Sequence, residues 1–143
     1  MTTIRQILER KPEIFSIDPD ATVFEALGLM EEKNIGALLV MKGGQLVGIF
    51  SERDYARRMI LQGRTSRETP VREVMTSKVF VIAPDTTSGE CMMHMTDRHI
   101  RHLPVVEGGR VVGVISIGDV VRSVIHDLRF TVRQLEDYIK SGG

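Results

Sequence analysis

Cysteine is almost absent. A single thiol, Cys91, in 143 residues cannot close an intramolecular disulfide, which suits a reducing compartment and a fold held by burial alone. Tryptophan is missing, and five phenylalanines with two tyrosines are few rings for a surface that stacks nucleic-acid bases. Charge of one sign is not in excess either, because nineteen basic residues balance nineteen acidic ones. No overall field therefore draws the chain to nucleic acid or to an anionic membrane. The longest apolar runs, Gly36 to Met41 and Val111 to Ile115, fall far below the roughly 20 residues that span a bilayer. The opening residues, Met1 to Lys11, lack the apolar stretch of a secretory signal. A soluble, cytoplasmic protein with no membrane contact is expected. What is present is ordinary globular composition, 42% hydrophobic and 27% charged, enough to bury a core.

The chain repeats itself. Pro19-Asp20 returns 65 residues later (84 − 19) as Pro84-Asp85, and the match continues without a gap. Thr22 pairs with Thr87, Glu25 with Glu90, Met30 with Met95, Ile35 with Ile100 and Leu38 with Leu103; Gly43-Gly44 pairs with Gly108-Gly109, Ser51 with Ser116 and Asp54 with Asp119. Self-similarity of this length marks a duplicated supersecondary unit.

Each copy begins with a short extended stretch, Ile14 to Ile17 or Val79 to Ile82, closed by proline. Thr22-x-x-Glu25 and Thr87-x-x-Glu90 then fit capping boxes that start helices. Val23, Ala26, Leu27 and Met30 recur at helical spacing, as do Cys91, Met92 and Met95, which predicts core faces. Two β-rich runs follow, Ala37 to Met41 and Leu46 to Phe50, joined by Lys42-Gly43-Gly44-Gln45 as a tight hairpin; Gly108-Gly109 repeats the turn in the second copy. A second helix starts at Ser51 or Ser116. Thr69-Pro70 reads as a cap and first helical residue for a lead-in over Val71 to Met75, and Ile4 to Leu8 is its counterpart. The expected fold is α/β (α+β): two βαββα repeats, 4–62 and 70–127, packed about a pseudo-twofold axis into one module spanning 1–143. A helical extension over 128–143 completes it. Leu128, Val132, Leu135 and Ile139 form a heptad-like stripe there, which packs either on the module's own surface or in a homodimer.

Val74-Met75-Thr76, the strand followed by Pro-Asp, Leu103-Pro104-Val105-Val106, and Gly-x-x-Ser-x-x-Asp at Gly48 and Gly113 together resemble CBS domains, named for cystathionine beta-synthase. Almost the whole chain is similar to a freestanding tandem pair, or Bateman module. The resemblance implies a regulatory sensor with two clefts that receive AMP, ADP, ATP, NAD(H) or S-adenosylmethionine, and an unknown regulated protein as partner. It also implies that the Ser and Asp of one repeat complete a cleft walled by the other repeat. NAD(H) stands beside AMP because freestanding members with a similar Ser51-Glu-Arg-Asp-Tyr-Ala-Arg57 run are linked to redox regulation.

Ser51 and Ser116 lie where a strand turns into a helix, so backbone amides and the positive end of the dipole suit phosphate. Asp54 and Asp119, one turn in, suit the two hydroxyls of a ribose, and Arg53 suits phosphate. Read through the resemblance, Thr76, Ser77, Val81, Ile100, Leu103 and Pro104 line the cleft of Asp54, with Arg101 and His102 reaching phosphates. Ser16, Ile17, Ile35, Gly36 and Ala37 line that of Asp119. The Asp54 cleft is expected to be the more cationic. The alternative is that the serines only cap helices and the aspartates only satisfy the first turn.

Other readings are a partner-binding module without nucleotide, and weak nucleic-acid binding through Arg53, Arg57, Arg58 and Arg64, where Glu52, Asp54 and Glu68 are interspersed. Cys91, Met92, Met93, His94 and Met95 offer sulfur and imidazole as metal ligands by type, but helical phase places Cys91, Met92 and Met95 on the core face, so no metal is expected. His99 and His126 read as solvated or capping residues. No nucleophile with a base and no phosphate loop is evident, so no enzyme and no catalytic cofactor are expected.

Overall fold

The computed structural model describes residues 1–11 and 13–142; Gly143, the end of the expected extension, lies outside them. Thr3 caps α1 (Ile4–Leu8) in a full reciprocal box with Gln6. Strand β1 (Ser16–Ile17) stops before Asp18-Pro19. Helix α2 (Val23–Lys33) is followed by β2 (Ala37–Lys42) and β3 (Gln45–Ser51). The short α3 (Glu52–Tyr55) runs into a π-helical turn, Ala56–Ile60, and a 3₁₀ turn follows at Val71–Glu73. The second copy supplies α4 (Ser88–Arg98), β4 (His102–Glu107), β5 (Arg110–Ser116) and the 24-residue α5 (Ile117–Lys140).

Local chemistry explains the matched boundaries. Thr22 and Thr87 accept from the amides of Glu25 and Glu90, the backbone half of the expected boxes. Both helices end on a left-handed residue, Asn34 at φ 53° and His99 at φ 54°, a conformation in which the cap can turn its amide back to the last carbonyls. His99 is thus a capping residue, one of the two roles read from sequence. Gly43 and Gly44, at φ 56° and 78°, form the positive-φ pair that a two-residue hairpin requires. Gly108 and Gly109 do the same at 59° and 78°.

The chain divides into two compact units that do not follow the copies as read from sequence. One is Ile14–Phe80; the other joins Met1–Glu13 to Val81–Gly143. Each copy's lead-in has thus been taken up by the other copy's body. In the first unit the amides of Val71 and Arg72 donate to Ala21 and Pro19; in the second, those of Ile4 and Arg5 donate to Thr86 and Pro84. Val71 and Ile4 are both fully buried. Val23, Ala26, Met30, Leu38, Val40, Phe50, Met59, Val71 and Val74 form the core of the first unit. In the second, Cys91 and Met95 are buried where Ala26 and Met30 stand in the first copy, with Leu103, Val105, Ile115 and Val120. Burial pushes the Cys91 thiol up to about 11, so it stays protonated and packs as a small apolar group.

Two expectations need correction. The opening strand shrinks to Ser16–Ile17 in the first copy, parallel to β2, and to a single bridge between Ile82 and Val105 in the second. The residues lost are those farthest from each proline, and they have no strand neighbour to pair with. Pro70 is extended, at ψ 148°, and caps the lead-in rather than starting it, and only the 3₁₀ turn forms there. Residues 128–140 continue α5, which runs unbroken over Ile117–Lys140.

Candidate functional site

The two Ser-x-x-Asp motifs are full reciprocal capping boxes. Asp54 Oδ2 accepts from the Ser51 amide at 3.0 Å and from Ser51 Oγ at 3.1 Å, and Ser51 Oγ accepts from the Asp54 amide at 3.3 Å. Asp119 Oδ2 does the same with the Ser116 amide and hydroxyl, both at 2.9 Å. Capping occupies one carboxylate oxygen and orients the other. Asp54 Oδ1 accepts from the Thr76 hydroxyl at 3.1 Å, with Arg58 Nε at 3.9 Å. Thr76 is held there by a two-way backbone bridge to Ile49, 2.8 and 2.9 Å.

The second copy satisfies the same positions differently. Val114 is the counterpart of Ile49 at the 65-residue offset. Its carbonyl receives Lys11 Nζ at 3.0 Å, and the same ammonium reaches Asp119 Oδ2 at 2.7 Å. One lysine therefore reaches both the strand carbonyl and the carboxylate, as Thr76 does with its amide and its hydroxyl, but on Oδ2 where Thr76 uses Oδ1. Arg122 donates to Asp119 Oδ1 at 2.9 Å. Burial pushes the Asp119 carboxyl up, but hydrogen bonds from Lys11 and Ser116 and the charge of Lys11 outweigh it, and the net direction is down.

Hairpin register decides which candidates meet. Ala37 lies opposite Ser51, and the Glu52 amide donates to the Gly36 carbonyl at 3.1 Å. His102 lies opposite Ser116, and the Ile117 amide donates to the Arg101 carbonyl at 2.8 Å. Gly36 and Ala37 thus sit beside the start of α3, and Arg101 and His102 beside the start of α5. Of the cations, Lys11 and Arg122 reach Asp119. The amides at the helix starts are also less available than expected. The first is taken by Gly36 or Arg101 and the third by the serine hydroxyl.

Ser16 and Ile17 lie on β1. Ile35 and Gly36 line an open hollow of about 670 Å³ with Leu27, Met30, Glu31, Asn34, Glu52 and Tyr55. Ile100 is half-buried after the α4 cap, and Leu103 and Pro104 are buried in β4, where Leu103 serves the core. Ser77, Val81 and Arg53 are exposed. Lys11 and Arg122 escaped sequence reading: the first lies 108 residues from its carboxylate, and the second is an ordinary i, i+3 partner. The hairpin could have shown the grouping, since a two-residue turn at Gly108-Gly109 folds His102 back onto Ser116.

Burial lowers the proton affinity of His102; Lys11 and Arg101 lower it further, and Asp119 opposes them. A folded-state value below the ordinary one, about 6.5, means that the unfolded chain binds the proton better. The stability contributed by neutral His102 is complete above the ordinary value and is lost as pH falls through the depressed one. Chemical unfolding between pH 8 and 5.5 is expected to show this decline, and His102→Gln is expected to flatten it. An equal slope in both chains would contradict the assignment.

Among the described residues no helix is long and apolar enough to cross a membrane. The sequence pattern that defines the CBS domain matches residues 4–61 and 71–126. The CBS domain-containing protein CBSX3, mitochondrial, of Arabidopsis thaliana is 44% identical over 128 residues, 86% of this chain; the chain spans 62% of that protein's length. A putative signal-transduction protein with CBS domains from Burkholderia ambifaria is 49% identical, with TM-score 0.85, covering 88% of this chain and 96% of that one. The CBS domain pair of protein MJ0100, solved in complex with 5′-methylthioadenosine and S-adenosyl-L-methionine, is 25% identical at TM-score 0.78, covering 89% and 98%. With two matched segments carrying the same Ser–Asp geometry, the chain belongs to the CBS domain family as a tandem pair.

Proposed function

We propose that the chain is a non-catalytic regulatory module that binds an adenosine-containing ligand, AMP, ADP, ATP or NAD(H), at its Ser–Asp helix starts and transmits occupancy to a partner. The observation that carries this reading is the second carboxylate oxygen of each box. Asp54 Oδ1 and Asp119 Oδ1 play no part in capping their serines, and a rigid hairpin end and helix start fix the direction of each. A ribose diol supplies two donors for such a carboxylate, and charge-assisted bonds of this kind are the stronger ones. The MJ0100 complex supports the ligand class, because both of its named ligands carry adenosine. Regulation then follows from linkage: a ligand that prefers one arrangement of the module shifts its population, and whatever reads that arrangement responds.

A thermal-shift panel of AMP, ADP, ATP, NAD+, NADH and S-adenosylmethionine tests this. A ligand at 100 times its Kd adds about 2.7 kcal/mol and raises the midpoint by several degrees. A flat response to all six would favour the partner-binding module without nucleotide. Nucleic-acid binding is the weaker alternative, because Arg58 donates to the Val74 and Met75 carbonyls and Arg64 pairs with Glu73.

The same proposal includes a homodimer through α5. Leu128, Val132, Leu135 and Ile139 are all more than half exposed, so they do not pack on their own chain. With Ile117, Val121 and Val124 the stripe runs in steps of 4, 3, 4, 4, 3 and 4. That is an 11-residue repeat at about 3.67 residues per turn, which favours a nearly straight or slightly right-handed pair over the heptad-like winding expected from the last four alone. Arg129 and Glu136 flank one side of this stripe, so two antiparallel copies bring Arg129 of each near Glu136 of the other. Light scattering after gel filtration is expected to give twice the chain mass, and Leu128→Asp/Leu135→Asp the single mass with helicity retained. An unchanged mass in the variant would remove α5 from the interface.

A further inference from the structure

Asp119 is crowded at one oxygen. Oδ2 accepts from the Ser116 amide, the Ser116 hydroxyl and Lys11, and Oδ1 from Arg122. Arg122 is 73% exposed and can swing away at little cost, whereas Lys11 is 35% exposed and anchored at both Asp119 and the Val114 carbonyl. A ribose diol that takes both carboxylate oxygens displaces Arg122 from Oδ1 and the ammonium from Oδ2. At Asp54 such a diol displaces only the neutral Thr76 hydroxyl from Oδ1, which can turn to a new acceptor without leaving a charge behind.

We infer that Lys11 is a specificity-determining residue of the Asp119 site, which makes that site accept phosphorylated adenine nucleotides and reject uncharged or cationic adenosine compounds. This rests on the nucleotide reading above. Once released, the ammonium loses its direct contact with Asp119 and stands near Arg122, without a paired counter-charge of its own. A nucleoside supplies none, and a cationic sulfonium ligand adds repulsion. A phosphate supplies two negative charges within reach of a flexible four-carbon stem. The ligand thus exchanges places with Lys11 on the carboxylate and takes Lys11 on its own phosphate, so ribose and phosphate are required together. Asp54 carries no equivalent demand, and the two sites differ in ligand class rather than only in strength.

The test uses Asp54→Asn, which leaves Asp119 as the ribose carboxylate, with and without Lys11→Met, a change that keeps the apolar stem. AMP and 5′-methylthioadenosine are titrated into both variants and the native chain by calorimetry. Asp54→Asn alone is expected to bind AMP at least about tenfold more tightly than 5′-methylthioadenosine, one charge-assisted contact's worth. Adding Lys11→Met is expected to bring the two within about threefold, with 5′-methylthioadenosine gaining affinity. A preference that is the same with and without Lys11, or equal binding of both ligands while Lys11 is present, overturns the inference. So does an Asp54→Asn chain that takes neither ligand when the native chain binds AMP, because Asp119 then holds no ribose. If the native chain binds neither compound, the nucleotide reading falls and this inference falls with it.

Discussion

Gly48→Ala is expected to destabilise the first unit by about 1–3 kcal/mol, and Gly48→Val by more. A Cβ at Gly48 would stand 2.5 Å from Met75 Sδ and 2.9 Å from the Thr76 carbonyl oxygen. The sulfur sits on a flexible side chain and can move. The carbonyl cannot, because it receives the Ile49 amide in the bridge that docks the lead-in on β3. The same bridge aims Thr76 at Asp54, so the substitution loosens the candidate site as well as the fold. Two other glycines calibrate the effect. At Gly113 the Cβ would run into Leu8 Cδ2, the end of a side chain that can rotate, so Gly113→Ala is expected to cost less. Gly28 lies on an exposed turn of α2 with nothing within 4 Å, and Gly28→Ala is expected to stabilise by about 0.5–1 kcal/mol through helix propensity alone. Denaturant unfolding should rank the midpoints Gly48→Ala, Gly113→Ala, native, Gly28→Ala from lowest to highest. Equal midpoints for Gly48→Ala and Gly113→Ala would show that the backbone contact is not the limiting one.

Asp54→Ala is expected to weaken AMP binding at that site about 100-fold, the loss of roughly 2.7 kcal/mol from a carboxylate accepting both ribose hydroxyls. The alanine also removes the acceptor of the Ser51 amide and hydroxyl, so stability falls by about 1 kcal/mol as for other lost caps. Asp54→Asn separates the two effects. Its amide oxygen can still receive the Ser51 amide, while its charge and one acceptor are gone. Near-native stability with affinity as poor as that of Asp54→Ala would place Asp54 on the ligand. Affinity that follows stability through both variants would leave it as a cap only.

Much of this was legible at the level of elements. The 65-residue offset paired the helices, the glycine turns and the Ser–Asp boxes, because each depends on local chemistry: a hydroxyl before a helix, two positive-φ residues between strands, apolar residues at helical spacing. What failed was non-local. Lys11 carries no motif, and its place at Asp119 depends on a lead-in crossing into the other copy's body, which no local pattern encodes. The opening strands were read too long because apolar stretches such as Val79 to Ile82 look extended whether or not a neighbour pairs with them. The α5 stripe reads as a heptad from its last four residues alone; the 11-residue repeat emerges when Ile117, Val121 and Val124 are counted with them.

The most direct test is a calorimetric titration of AMP into the native chain and into Asp54→Asn/Asp119→Asn, with circular dichroism establishing that both are folded. Saturable binding to the native chain and none to the double variant is the expected result. Equal affinity in the two would contradict the claim that these carboxylates hold the ribose.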